Sequence, residues 1–254
     1  MKRLTHQKLG AQILEASFVS GVKLFYVSPI SILNPSTPVR GGIPILFPQF
    51  GAKGGLKKHG FVRDNHWQLI QQNNNEEKHT IEYAINIHPQ DYPDWPNTAS
   101  LNVRCVLTDN SFSIHLSIKN EGLDSFSFTG GLHPYFDISS RSEIQIKGLE
   151  SNPFLDSYPD LESYSLSGDA LIERLYLENP SVSFYNGKQW LKVSASGFNN
   201  WMIWNPGKEG AKLLGDLPDD DWDKMICIEP IVYSSPVVLN PSEMFVGELA
   251  VSVI

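Results

Sequence analysis

Four short segments of this 254-residue chain gather side chains that could move protons or hold charge. Gly130-Gly131-Leu132-His133-Pro134-Tyr135-Phe136 sets an imidazole between a glycine pair and two aromatic residues, next to a stiff proline. Cys227-Ile228-Glu229-Pro230 places a carboxylate in an apolar run, where an unpartnered charge is expensive. Lys57-Lys58-His59-Gly60-Phe61-Val62-Arg63-Asp64 brings three cations and a second imidazole around a glycine. Arg40 opens RGGIPILFPQFG, residues 40–51, with two prolines and three glycines among apolar residues. An imidazole that titrates near working pH and a carboxylate raised by burial could together carry general acid–base chemistry. Arginine suits a phosphate, because its planar fork binds two oxygens at once. Each residue also has a plainer reading: His133 as a hydrogen-bonded core group, Glu229 as an ion-pair member, Arg40 and Arg63 as surface charges.

Other chemistries find less support. The seven histidines form no HxH or HExxH pair, so no metal site is expected. Asp219-Asp220-Asp221 with Asp223 lacks the spacing of a calcium loop and reads as an acidic turn. Neither Gly41-Gly42 nor Gly54-Gly55 leads into the GK[ST] of a phosphate-binding loop. Cys105 and Cys227 show no metal or redox spacing and read as buried small apolar residues without a disulfide. The net charge of −8 provides no basic field for nucleic acid, although a local basic cluster leaves small anions open. No run approaches the ~18 apolar residues of a membrane span. The basic start MKR leads into no apolar leader, so a cytoplasmic chain is expected.

The elements that must position these groups are strands. Ser111–Lys119 alternates for nine residues, with Phe112, Ile114, Leu116 and Ile118 on one side and His115 on the solvated one. Ile81, Tyr83, Ile85 and Ile87 repeat the pattern, as do Ile144 and Ile146. Asn186-Gly187 is a hairpin signal that would set Val182 opposite Leu191. The polar run Gln71–Lys78 reads as a solvated hairpin tip. Two prolines keep residues 40–51 from being a central strand, so this apolar loop must be anchored inside something. Short strands separated by turns predict an all-β sandwich, a single domain over residues 1–254.

In this order the segments resemble the aldose 1-epimerase (mutarotase) superfamily, and most closely its hexose-6-phosphate branch, the glucose-6-phosphate 1-epimerases. The resemblance rests on RGGIPILFPQFG (40–51), HGFVRDNHW (59–67), GGLHPYF (130–136), ERLYL (173–177), WNPG (204–207) and DLPDDDWDKMICIEP (216–230). It implies the large twisted β-supersandwich of the galactose mutarotases. It also implies His133 as general acid, Glu229 as general base and His59 as a second histidine beside the sugar. Arg40 and Arg63 match arginines that the branch uses for the 6-phosphate, and Lys58 replaces a more usual Gln. Glu173 stands where the family usually has Asp. Asp64 and Trp204, within the matched segments, are further candidates to contact substrate, and Trp67 and Phe61 could stack on the sugar or lie in the core.

The implied reaction interconverts α and β anomers of a hexose 6-phosphate, with glucose 6-phosphate the expected substrate. Ring opening needs a proton delivered to O5 and one removed from the C1 hydroxyl; closure on the other carbonyl face reverses both. One acid and one base suffice, so no cofactor is expected, and a monomer whose partner is a sugar or sugar phosphate is the expected form. The alternatives are action on neutral hexoses, a non-catalytic carbohydrate-binding sandwich, and a carbohydrate lyase or hydrolase. A hydrolase would want two catalytic carboxylates about 5–10 Å apart, and the sequence singles out one.

Overall fold

The computed structural model describes residues 1–31, 37–52, 54–156 and 168–254. Alternating stretches become strands: β1 (Arg3–His6), β2 (Ile13–Ser17), β3 (Ile45–Leu46), β4 (Gln68–Asn74), β5 (His79–Ile87), β6 (Ala99–Leu107), β7 (Ser111–Asn120), β8 (Phe126–Leu132) and β9 (Tyr135–Asp137). There follow β10 (Gln145–Lys147), β11 (Phe154–Asp156), β12 (Ile172–Tyr176), β13 (Val182–Tyr185), β14 (Trp190–Ser196), β15 (Asn200–Asn205), β16 (Met225–Leu239) and β17 (Met244–Val253). The five-residue Gly207–Ala211 is the only α-helix among the described residues, and no helix is long and apolar enough to cross a membrane.

Two large antiparallel sheets result, the expected all-β sandwich. One has eight strands in the order β10-β13-β14-β17-β7-β6-β5-β4; the other runs β11-β12-β15-β16-β8-β3, with β9 also paired to β16. The side chains expected inward from β7, Phe112 to Ile118, are buried in the core between the sheets. Ring contacts bridge it: Phe136 of β9 meets Phe184 of β13 at 5.4 Å, and Phe128 of β8 meets Phe245 of β17 at 5.3 Å. Burying each such side chain is worth about 1.5–3 kcal/mol, so the apolar faces dictate the pairing of the sheets. His115 points outward and lies 3.3 Å from Glu248 on the neighbouring strand. Both cysteines are free and buried.

Two local expectations need correction. Val182 opposes Val193, and Leu191 opposes Phe184. The turn lies one residue later, at Gly187-Lys188, because the Asn186 side-chain oxygen accepts the backbone N–H groups of Lys188 and Gln189. A shift of two in the pairing leaves every side chain on its intended face, so the core is unchanged. The run Gln71–Lys78 is not all tip: Gln71–Asn74 continue β4 against β5, and only Asn75–Lys78 turn. As the outermost strand of its sheet, β4 can carry exposed polar side chains on both faces.

Residues 41–50 are all buried, as the apolar loop required. It holds the two-residue strand β3 at the end of its sheet and bonds along the His133 segment. The N–H of Tyr135 donates to the Gly42 carbonyl and that of His133 to the Pro44 carbonyl. Gly130 and Gly131 make this approach possible. A Cβ at Gly130 would lie 2.1 Å from the Leu46 carbonyl oxygen, and one at Gly131 2.3 Å from that of Pro230.

Candidate active site

The register of β16 aligns the two proton-transfer candidates. Along one edge of this strand Gly131 lies opposite Ile231 and, four residues on, Tyr135 lies opposite Cys227. Continuing that register through the intervening residues sets His133 opposite Glu229. Directly opposed residues of an antiparallel pair share a face, and alternate residues of one strand do too. Glu229 is therefore backed on its other side by Met202 of β15, and Cys227 by Trp204. Glu173 of β12 lies beyond Trp204. The intervening residues Ile228 and Ile203 point the other way, into the core. A single sheet face thus carries the site, with the core as its floor.

The loop from Gln49 to Arg63 forms another wall. The Gln49 amide donates to the carbonyls of Gly51 and Leu56 and accepts the Leu56 N–H, folding the loop onto itself. His59 adopts a left-handed φ of 69°, followed by Gly60 at 71°. A non-glycine residue there is uncommon, although His is among the side chains enriched in that region. Its N–H donates to the Gly51 carbonyl while its Nδ1 accepts the Gly51 N–H, so the neutral ring carries its proton on Nε2. The ring lies 5.6 Å from that of His133. Arg40, Lys58, His59, Arg63, His133 and Glu229 all line one cleft of about 200 Å³. That is below the ~300–1,000 Å³ of drug-sized pockets and suits a single sugar ring.

Within the cleft, His133 Nε2 lies 3.4 Å from Glu229 Oε1, with both side chains almost fully buried. His133 Nδ1 and Glu229 Oε2 are buried without hydrogen-bond partners. Burial holds the His133 imidazole well below its ordinary range, helped by His59, Arg63 and Arg40. Burial pushes the Glu229 carboxyl well above its own, helped by Glu173 and opposed by Lys58.

Comparison with known proteins identifies the family. The family model for aldose 1-epimerase matches residues 4–252. The chain belongs to the aldose 1-epimerase family. A relative in Cenchrus ciliaris, provisionally named a glucose-6-phosphate 1-epimerase, is 30% identical over 96% of this chain and 79% of its own length. The structure of a protein of Salmonella typhimurium, provisionally a mutarotase, superposes with a TM-score of 0.86 at 22% identity, covering all of this chain and 88% of the other. Galactose 1-epimerase of Lactobacillus acidophilus gives 0.73 at 14% identity over 99% and 90% of the two chains. The fold is thus the galactose mutarotase-like β-sandwich, and this aldose 1-epimerase is an isomerase that interconverts the anomers of a sugar.

Most residues singled out from the sequence meet in the aldose 1-epimerase cleft. Trp204 and Glu173 line it with the six already named. Asp64 does not. Its carboxylate is paired with Lys57 at 2.6 Å, because the tight turn Val62–Asp64 sends successive side chains in different directions. Trp67 and Phe61 belong to the core: the Trp67 indole N–H donates to the Val62 carbonyl, and Phe61 stacks on Tyr92. Asp221 and Asp223 are structural, accepting from Tyr26 and from the Arg141 N–H.

Sequence reasoning missed two further members of the site. Tyr135 stacks on His133 with ring centres 4.7 Å apart and receives a hydrogen bond from Arg40 Nη1. Asp216 accepts from Arg40 Nε at 2.6 Å and fixes the guanidinium. A signal for Tyr135 was present, since it stands two residues after His133 and so shares its face; Asp216 had only its place at the head of the matched segment 216–230.

His59 carries a stability prediction. Burial first, then Arg63, Lys58 and Arg40, lower its pKa to about 3. The unfolded chain takes up this proton near pH 6.5 and the folded chain resists it, so acidification favours unfolding across that window. His59→Asn, tolerant of the left-handed backbone, should remove about 2 kcal/mol of the stability lost between about pH 7 and about pH 5. Glu229 acts in the opposite sense but is common to both proteins. Urea midpoints at the two pH values check this; an equal fall in both proteins would refute it.

Proposed function

We propose that this aldose 1-epimerase acts on a hexose 6-phosphate, with glucose 6-phosphate the preferred substrate. The observation that carries the reading is the group of three cations, Arg40, Lys58 and Arg63, lining the cleft and all acting on His59. A neutral sugar has no use for such a field, whereas a phosphate dianion would neutralise much of it. Arg40 is held by Asp216 and Tyr135, so its orientation is set in advance of binding.

In the forward step Glu229 takes the C1 hydroxyl proton and His133 delivers one to O5. The ring opens, C1–C2 rotates, and closure runs the transfers backward. The adjacent pair is best treated as sharing one proton. Without substrate, both shifts favour that proton on Glu229, the reverse of the assignment implied by the family resemblance. A bound 6-phosphate would offset Arg63 and Arg40, two of the charges that depress His133, and so draw the proton toward the imidazole. Phosphate would then promote the chemistry as well as the binding. His59, neutral and oriented by Gly51, is placed to donate from Nε2 to a sugar hydroxyl. The same reading has a single domain acting as a monomer in the cytoplasm, where phosphorylated sugars are made and consumed.

The test compares mutarotation of glucose 6-phosphate with that of glucose. One charge-assisted hydrogen bond is worth about 1.5–3 kcal/mol, so kcat/KM should favour the phosphate by at least about tenfold. Equal values would show that the cleft does not read the phosphate and would overturn the proposal.

A further inference from the structure

The proton-transfer chemistry leaves one reactive group of the sheet face unused. Cys227 precedes Glu229 by two residues on β16, so its thiol projects to the same side, between Tyr135 and Trp204 on the flanking strands. One ligand atom from each of His133, Cys227 and Glu229 lies within 4.8 Å of the other two, and all three residues are buried. His133 Nδ1 and Glu229 Oε2 have no protein partner, so the cluster retains unused donor and acceptor capacity.

We propose that His133, Cys227 and Glu229 form a binding site for a thiophilic divalent cation of the zinc class, which competes with sugar and switches the enzyme off. A sulfur, a nitrogen and an oxygen are the donor set of Zn²⁺ and Co²⁺, whereas Mg²⁺ and Ca²⁺ require oxygens and retain water. Bond lengths of about 2.0–2.3 Å in a tetrahedral site put neighbouring ligand atoms about 3.3–3.7 Å apart. The three donors here lie within 4.8 Å of one another, so the widest pair needs to close by at most about 1.1–1.5 Å, within the reach of side-chain rotations.

Charge favours the same class. A thiolate and a carboxylate cancel the two positive charges, and the imidazole binds neutral. The thiol proton, and the carboxyl proton where present, pass to solvent, so no net charge is buried. That matters here, because Arg40 and Arg63 line the same cleft and would oppose a net-positive complex. His133 and Glu229 line the cleft, so a water from it can supply the fourth ligand. Once bound, the cation occupies the lone pairs of His133 and Glu229 that both proton transfers require.

The experiment uses chelator-treated enzyme titrated with Co²⁺, whose bond to thiolate gives a near-ultraviolet charge-transfer band, and with Zn²⁺ in the anomerisation assay. The wild type should show the band at one Co²⁺ per chain, with Zn²⁺ inhibition competitive with sugar and reversed by EDTA. Cys227→Ala should keep its anomerisation rate and lose the band. Loss of an outer partner of a metal ligand already costs about 10–100-fold in affinity, so loss of a ligand should cost at least about 100-fold. Cys227→Ser serves in the same role if the Ala variant fails to fold. Cys105→Ala, in β6 of the other sheet, should behave as wild type. A wild type without the cobalt band, or variants at Cys227 inhibited as strongly as wild type, would overturn the proposal. The cobalt band does not depend on which sugar is the substrate, so its absence would leave the reading of the 6-phosphate untouched.

Discussion

His133→Ala and Glu229→Gln should each lose about 10²–10⁴-fold in kcat, the range for removal of one positioned acid or base. Both changes are expected to leave the fold intact, for separate reasons. His133 lines the cleft and not the intersheet core, so truncation opens space that water can enter. Gln keeps the shape of Glu229 and replaces a buried carboxyl, whose ionisation the site resists, with a neutral amide. The double variant should be little worse than either single one, because both proton transfers serve one ring opening and act as a unit. Polarimetry on freshly dissolved α-anomer reads the rate, thermal unfolding shows whether the variants fold, and calorimetry shows whether they still bind. Binding retained with the rate lost is the expected outcome. Full rate in both variants would remove these residues from the chemistry and leave a sandwich that acts through other groups.

The fold was legible in the sequence because its cause is local. Phe112, Ile114, Leu116 and Ile118 announce a buried face by period two alone, and the core in the structure uses that face. Where a side chain intervened, the reading slipped: the Asn186 carboxamide moves the turn by one residue, which a dipeptide rule does not see. The site was legible only in part. His133, Glu229, His59, Arg40 and Arg63 stood out as reactive groups in apolar or glycine-rich segments, and the cleft contains them all. Their alignment was not readable, because the pairing of His133 with Glu229 comes from long-range strand register. Asp64 shows the limit of adjacency in sequence. It is next to Arg63, yet with about three residues per turn in a 3₁₀ segment neighbouring side chains diverge by about 120°. Arg63 therefore faces the cleft while Asp64 turns to Lys57. Asp216 is an ordinary loop aspartate until the fold brings it beside Arg40.

Replacing Arg40 and Arg63 together with Ala should lower kcat/KM for glucose 6-phosphate by about 10²–10⁴-fold, if each arginine supplies one charge-assisted hydrogen bond worth about 1.5–3 kcal/mol. Neither substitution threatens the fold. Arg40 releases Asp216, which is part-exposed and can be solvated, and the Tyr135 hydroxyl, whose residue lines the cleft and can take a water in its place; Arg63 releases the exposed carbonyl of Lys58. The response of a neutral hexose separates phosphate binding from general damage to the cleft. Its turnover should be unchanged or faster, because both arginines depress the His133 pKa and their loss eases protonation of the acid. Lys58 remains in the double variant, so some preference for the phosphate should persist, and adding Lys58→Ala should remove it. Single variants should each cost about 10–100-fold on the phosphate, and a shortfall of the double below their product would show that the two guanidinium groups grip the same oxygens. Parallel assays of glucose 6-phosphate and glucose with each variant provide the measurement. An equal loss on both sugars would mean that the arginines shape the cleft without reading the phosphate.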